Sequence, residues 1–94
     1  MPELISLSVM VTGRVQGVCY RASVRDWAIE LGVMGWVRNN ADGSVSALLQ
    51  HESQESLTEL LSRMRHGPVA AVVGELLHEC VENHPACPDF SIQR

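Results

Sequence analysis

Ninety-four residues fit a single domain, 1–94, and leave no room for two. A formal charge of −4, with one Phe, one Tyr and two Trp, argues against nucleic acid, which asks for a basic face and exposed aromatics. No window is long and apolar enough to span a bilayer, no basic stretch precedes an apolar core at the N-terminus, and three cysteines are too few and odd for a disulfide framework. The expectation is a soluble cytoplasmic monomer with reduced thiols and no membrane partner.

Residues 5–11 read as a strand, with Ile5, Leu7, Val9 and Val11 alternating against Ser6, Ser8 and Met10. A glycine-bounded loop, GRVQGV, occupies residues 13–18. Residues 20–31 read as a helix whose apolar face is Val24, Trp27, Ala28 and Leu31, stopped by Gly32. Residues 33–39 and 44–50 are strands joined through Asn40-Ala41-Asp42-Gly43, where Asp42-Gly43 is a hairpin signal. Residues 52–65 form a second helix with Leu57, Leu60, Leu61 and Met64 on one face. Ser53 is its cap, and Gly67-Pro68 breaks it. A fourth strand falls within residues 69–81, and a short fifth covers 89–93. The β-α-β-β-α-β order predicts an α+β, ferredoxin-like sandwich: an antiparallel sheet with both helices on one face and a short extra strand.

The loop after the first strand carries the chemistry. Gly13 and Gly17 permit positive φ angles and close approach to a ligand. Successive N–H groups in such a turn form an anion nest, to which the following helix adds free N–H groups and its positive dipole end. Arg21, about one helical turn beyond Gly17, presents a planar fork able to grip two phosphate oxygens. The same pattern also describes an ordinary strand-to-helix turn with a surface arginine, and at the level of local pattern both readings stand.

GRVQGVCYR (13–21) resembles the first signature of the acylphosphatase family, and GWVRNNADGSV (35–45) resembles the second. The similarity continues through Gly67-Pro68, Ala71, Val73 and Asp89-Phe90, covering the chain from about Leu7 onward. The resemblance implies a ferredoxin-like fold. It also implies hydrolysis of the carboxyl–phosphate bond of acyl phosphates, to a carboxylate and inorganic phosphate, with no cofactor and no metal. It places the phosphate on Arg21 and on the loop amides of Val15, Gln16, Gly17, Val18, Cys19 and Tyr20. Asn39 is the residue that it implies orients the attacking water.

The residue types fit that reaction. An acyl phosphate expels a carboxylate whose conjugate acid has a pKa of about 4, so it needs little general-acid help. The two signature segments hold no His. A phosphate monoester is far slower to hydrolyse unaided. Amides, one Arg and one neutral Asn suit charge stabilisation and water positioning. Other readings are a hydrolase preferring carbamoyl phosphate and a non-catalytic anion-binding or regulatory module of the same fold.

Three positions depart from the family's pattern: Cys19, where Gly or an aromatic is usual; Asn40, where Thr or a small residue is usual; and His51, where the second signature normally ends in Gly. Cys19 to Arg25 also matches C-x5-R. Its intervening residues lack glycine and read as helix, against a thiol nucleophile; an oxidation-prone thiol beside the phosphate nest is an alternative to an unreactive one. His78, Cys80, His84 and Cys87 offer two nitrogens and two sulfurs, but in no common zinc spacing. They read as unlinked loop side chains rather than a metal site or a Cys80–Cys87 bridge. Trp27 and Trp36 read as packing. Arg14 and Arg38 read as solvated surface charges, with a supporting anion-attracting field at the site as the alternative.

Overall fold

The computed structural model describes residues 3–93. Its elements are β1 (Ile5–Arg14), α1 (Tyr20–Leu31), β2 (Met34–Asn39), β3 (Val45–His51), α2 (Gln54–His66), β4 (Val72–Cys80) and β5 (Phe90–Gln93). The sheet runs β4-β1-β3-β2-β5. The first four strands pair antiparallel, as the element order predicts. β5 adds to β2 in parallel, so the complete sheet is mixed.

The apolar periodicities explain the layers. Leu7, Val9, Val11, Val37, Val45, Ala47 and Leu49 are buried on one sheet face. Val24 and Ala28 of α1 and Leu57, Leu60, Leu61 and Met64 of α2 close over them. Trp27 and Leu31 pack at the edge of that core, partly buried. Gly32 caps α1 in the left-handed region and donates its N–H to the Ala28 and Ile29 carbonyls. At the start of α2 the Ser53 hydroxyl accepts from Ser56 N at 3.5 Å.

Gly13 and Arg14 belong to β1 and not to the loop that the sequence assigns them. The β1–β4 register slips between Thr12 and Gly13, and the strand continues past the irregularity. Gly13 has φ 115, and a Cβ there would stand 2.3 Å from Val72 O. Its glycine therefore serves the close approach of β4, whereas the sequence reading gave it to a ligand.

On the other sheet face, the segment after β4 crosses to reach β5 at the opposite edge. Gln50, fully buried, holds that crossing: its Nε2 donates to Pro85 O at 2.9 Å and its Oε1 accepts from Cys87 N at 2.8 Å.

This topology fixes the site. β1 and β2 are each antiparallel to β3, so they run parallel to one another and end at the same end of the sheet. β5, parallel to β2, ends there too. The loop leaving β1, the last residue of β2 and the end of β5 are thereby gathered in one place.

Candidate active site

A cavity of about 160 Å³ opens at that end of the sheet, lined by Val15, Gly17, Cys19, Tyr20, Arg21, Ala22, Asn39 and Ile92. Pockets for drug-sized ligands typically span about 300–1,000 Å³, so this one matches a small group. Larger hollows exist, such as one of about 450 Å³ beside Glu3, Ser6, Cys80 and His84, but it holds neither the loop nor Arg21.

The loop is built as an open donor array. Val15 is 1 % exposed and anchors it to the core. Gly17 takes φ 72, and a Cβ there would meet nothing within 4 Å. Among the described residues, no backbone hydrogen bond outside the helices and strands uses the N–H of Val15, Gln16, Gly17, Val18 or Cys19; the first beyond the loop runs from Ser23 N to Cys19 O at 3.1 Å. Tyr20, Arg21 and Ala22 form the first turn of α1, where N–H groups have no partner within the helix. Loop N–H groups without a backbone partner among the described residues thus lead directly into the N-terminal end of a helix, with its positive dipole character.

Arg21 stands in that first turn, half-buried at the cavity wall. The ion pairs among the described residues join Arg25 to Asp26, and Arg63 to Glu30 and Glu59, and leave Arg21 unengaged. Its neighbour Tyr20 turns the other way, into the core, where its hydroxyl donates to Met64 O at 2.8 Å. Burial pushes the Tyr20 phenol well above its ordinary range, so it is a neutral donor at any working pH. Tyr20 therefore contributes its backbone to the loop while its side chain secures α1 to α2.

Asn39 ends β2 on the helix-covered face, two residues beyond the buried Val37. Its Oδ1 is buried and has no hydrogen-bond partner among the described residues. A buried amide oxygen of this kind costs stability unless something donates to it. Arg38 points to the opposite face, its guanidinium 5.1 Å from the Trp36 ring centroid. That stacking separates its charge from the cavity, whose one lining cation is Arg21. Arg14 is exposed at the end of β1.

The hairpin carrying Asn39 is heavily hydrogen-bonded. Asn40 Nδ2 donates to Ser44 Oγ at 2.9 Å and Ser46 Oγ at 2.7 Å, and so turns away from the cavity. Asp42 accepts from the Ser44 hydroxyl at 2.6 Å and from Ser44 N at 3.0 Å, which holds its carboxyl below the usual range. Gln16 Nε2 reaches across from the loop, donating to Asn40 O at 2.8 Å and Ser44 O at 2.9 Å. The sequence reading gave Gln16 only a backbone role.

A family model described as acylphosphatase matches residues 7–92. The chain belongs to the acylphosphatase family. An acylphosphatase of Rhizobium etli is 42% identical over 87 residues, covering 93% of this chain and 92% of that one. The structure of an acylphosphatase from Coxiella burnetii superposes with a TM-score of 0.89 at 32% identity, over 96% of this chain and 93% of the other. The Bacillus subtilis acylphosphatase gives 0.91 at 27% identity, over 96% and 99%.

Within this acylphosphatase domain the departures from the family pattern have different weights. Cys19 lines the cavity, and it caps α1 with φ 61 and ψ 22, a left-handed conformation unusual for a residue with a side chain. Asn40 is absorbed by the hairpin. His51 accepts from Ser53 N at 2.7 Å at the start of α2, far from the cavity. Among the described residues, no three His, Cys, Asp or Glu side chains meet as a metal site, and Cys19, Cys80 and Cys87 are free thiols. His84 Nδ1 lies 2.8 Å from Pro85 O and 3.2 Å from Gln50 Nε2. Among the described residues, no helix is long and apolar enough to cross a membrane.

Ala22 and Ile92 are the cavity residues that the sequence reading missed. Ala22 follows Arg21 directly. Ile92 reads as an ordinary strand residue, and only the parallel pairing of β5 with β2 brings it beside Asn39.

Proposed function

We propose that this chain hydrolyses acyl phosphates with the phosphate held by the 15–20 loop and Arg21 and the attacking water oriented by Asn39. The observation that carries the assignment is the meeting, in one cavity of about 160 Å³, of a loop, an arginine and a buried Asn39 Oδ1 whose donors, charge and acceptor have no partner among the described residues.

The phosphoryl oxygens sit in the N–H array and against the Arg21 fork, which neutralise charge without reorganising during the reaction. A water that donates one O–H to Asn39 Oδ1 satisfies that buried acceptor and is held for in-line attack on phosphorus. Its oxygen bonds to phosphorus as the P–O bond to the acyl group breaks, the electron pair leaves on the carboxylate, and both protons of the water stay with the phosphate, which departs as dihydrogen phosphate. Asn39 is neutral and positions the water without serving as a strong base. The carboxylate departs without a proton, consistent with a cavity that places no titratable acid near it apart from the Cys19 thiol and the inward-turned Tyr20 phenol.

The acyl portion meets only Ala22 and Ile92 as accessible apolar wall, so specificity lies chiefly on the phosphate side and broad acyl tolerance follows. We further place the chain in the cytoplasm as a monomer acting on small molecules, a reading supported by its free thiols and net negative charge.

The test is phosphate release from benzoyl phosphate without added metal, run beside Arg21→Ala and Asn39→Ala. Each variant should lose about 10²–10³ or more in kcat/KM. Arg21→Ala should also weaken inhibition by inorganic phosphate, and Asn39→Ala should leave that inhibition nearly intact. Full activity in Arg21→Ala overturns the mechanism. Phosphate binding by the unaltered protein without turnover assigns it instead to a non-catalytic anion-binding module.

A further inference from the structure

We infer that Gln16 is a positioning residue that sets the distance between the phosphate loop and the water-orienting Asn39; this rests on the reading of Asn39 just given. Both N–H bonds of the Gln16 amide are committed, one to Asn40 O at 2.8 Å and one to Ser44 O at 2.9 Å. Those two carbonyls belong to the residues that close the β2–β3 hairpin, where Asn40 N also donates to Ser44 O at 2.8 Å. Asn40 immediately follows Asn39. The side chain in the middle of the loop is thus tied to the backbone unit next to the water-orienting residue.

The strap has a mechanical reason. The loop's own N–H groups form no backbone hydrogen bonds among the described residues outside the helices and strands, so its backbone is not registered to the hairpin by any ladder. Val15 pins one end to the core and α1 fixes the other. Between them stands Gly17 with φ 72 and open space around it, the most permissive point of the chain here. Gln16 is half-buried, and its two bonds are the side-chain hydrogen bonds that cross from loop to hairpin among the described residues. The hairpin side is stiff, because Asn40, Asp42, Ser44 and Ser46 are cross-linked by their side chains. A flexible donor array is therefore indexed to a rigid acceptor. Displacing reacting groups by an ångström is enough to cost about a hundredfold in rate.

The experiment is a double-mutant cycle between Gln16→Met and Asn39→Ala. Methionine keeps the length and volume of glutamine and deletes both donors. With benzoyl phosphate, Gln16→Met should lower kcat by about 10- to 100-fold while the inhibition constant for inorganic phosphate stays within about threefold, since loop amides and Arg21 remain. In the Asn39→Ala background the same change should cost less than about threefold, because no oriented water is left to misplace. Circular dichroism and thermal unfolding establish that each variant is folded. If Gln16→Met does not fold, Gln16→Asn replaces it in the cycle, keeping the amide one methylene too short. An unchanged kcat in a folded Gln16 variant overturns the inference. So does an undiminished loss in the Asn39→Ala background, which places the effect on phosphate binding. Failure of the underlying reading shows separately, as wild-type kcat in Asn39→Ala alone.

Discussion

Tyr20 Oη donates a 2.8 Å hydrogen bond to the Met64 carbonyl, joining the first turn of α1 to the last turn of α2. The bond satisfies a carbonyl at a helix C-terminus, where four such groups lack intrahelical partners. It also fixes the turn from which Arg21 projects into the cavity.

Removing that hydroxyl in Tyr20→Phe should lower stability by about 0.5–1.5 kcal/mol, read as a shift in denaturant midpoint with unchanged slope. A pH signature accompanies it. Burial raises the folded-state phenol above its ordinary value, so this contribution is complete below about pH 10, where the unfolded phenol is still protonated. It is lost as pH rises above 10 toward the folded value. Because the sequence contains one tyrosine, ultraviolet titration of tyrosinate reports Tyr20 alone. Wild type should lose thermal stability from about pH 10 upward, before Tyr20 of the folded protein ionises, and Tyr20→Phe should lack this component.

Cys19 tests how the loop is shaped. Its left-handed backbone carries a penalty of roughly 1–2 kcal/mol for a residue with a Cβ, and its side chain caps nothing. Glycine removes that penalty but adds unfolded-chain entropy of roughly 0.5–1 kcal/mol. Cys19→Gly should therefore be neutral to stabilising by about 1 kcal/mol. Cys19→Val places a β-branched residue at φ 61 and should lower stability by more than about 1 kcal/mol. Thermal unfolding of the two variants side by side decides the point. Cys19→Gly should also keep its phosphatase activity after treatment with a thiol-modifying reagent, whereas the parent loses activity as the adduct at Cys19 fills the cavity.

The fold was legible because its signals are local and repeated. The 3.6-residue spacing of Val24, Ala28, Leu57, Leu60, Leu61 and Met64 located both helices and their buried faces. Alternation located β1, and the Asp42-Gly43 turn located the β2–β3 hairpin. What escaped the sequence depends on contacts between distant segments. Gly13 looks like a loop glycine until β4 is seen lying against it. The parallel pairing of β5 is set by a crossing chain that Gln50 clamps, and neither residue type nor spacing announces it. At the candidate site, Arg21 and Asn39 were legible through their signatures. The side-chain role of Gln16 and the wall made by Ile92 were not, since both exist only once β1, β2 and β5 end together.

The hairpin that presents Asn39 should be separable from the chemistry. Asn40→Ala deletes two side-chain bonds, to Ser44 Oγ and Ser46 Oγ, yet keeps the Asn40 carbonyl that Gln16 uses. A loss of about 1–2 kcal/mol in stability is expected, with kcat of the folded protein within about fivefold of wild type. Asp42 adds a pH dependence of the opposite sense to that of Tyr20. The Ser44 hydroxyl first, then the Ser44 N–H, hold its folded-state carboxyl below the ordinary range. That contribution is present above about pH 4 and is lost as pH falls through the folded value. Asp42→Asn should flatten the acid limb of the stability curve, measured by chemical denaturation between about pH 2 and 5.

Arg21→Lys separates charge from geometry at the phosphate. Lysine keeps the positive charge in the first turn of α1 but replaces a rigid planar fork by a point charge on a flexible stem. If Arg21 acted only by its field, the lysine variant would approach wild type, because its position beside the free N–H groups is unchanged. If two phosphoryl oxygens are gripped together as charge redistributes, lysine retains part of the binding and little of the transition-state fit. The expected outcome is phosphate inhibition weakened by about 3- to 10-fold with kcat lowered by about 10- to 100-fold, between wild type and Arg21→Ala in both. Equal losses in Arg21→Lys and Arg21→Ala would show that bidentate geometry, and not charge, is the whole of the contribution. A wild-type kcat in Arg21→Lys would remove the fork from the mechanism and leave the loop amides as its principal donors.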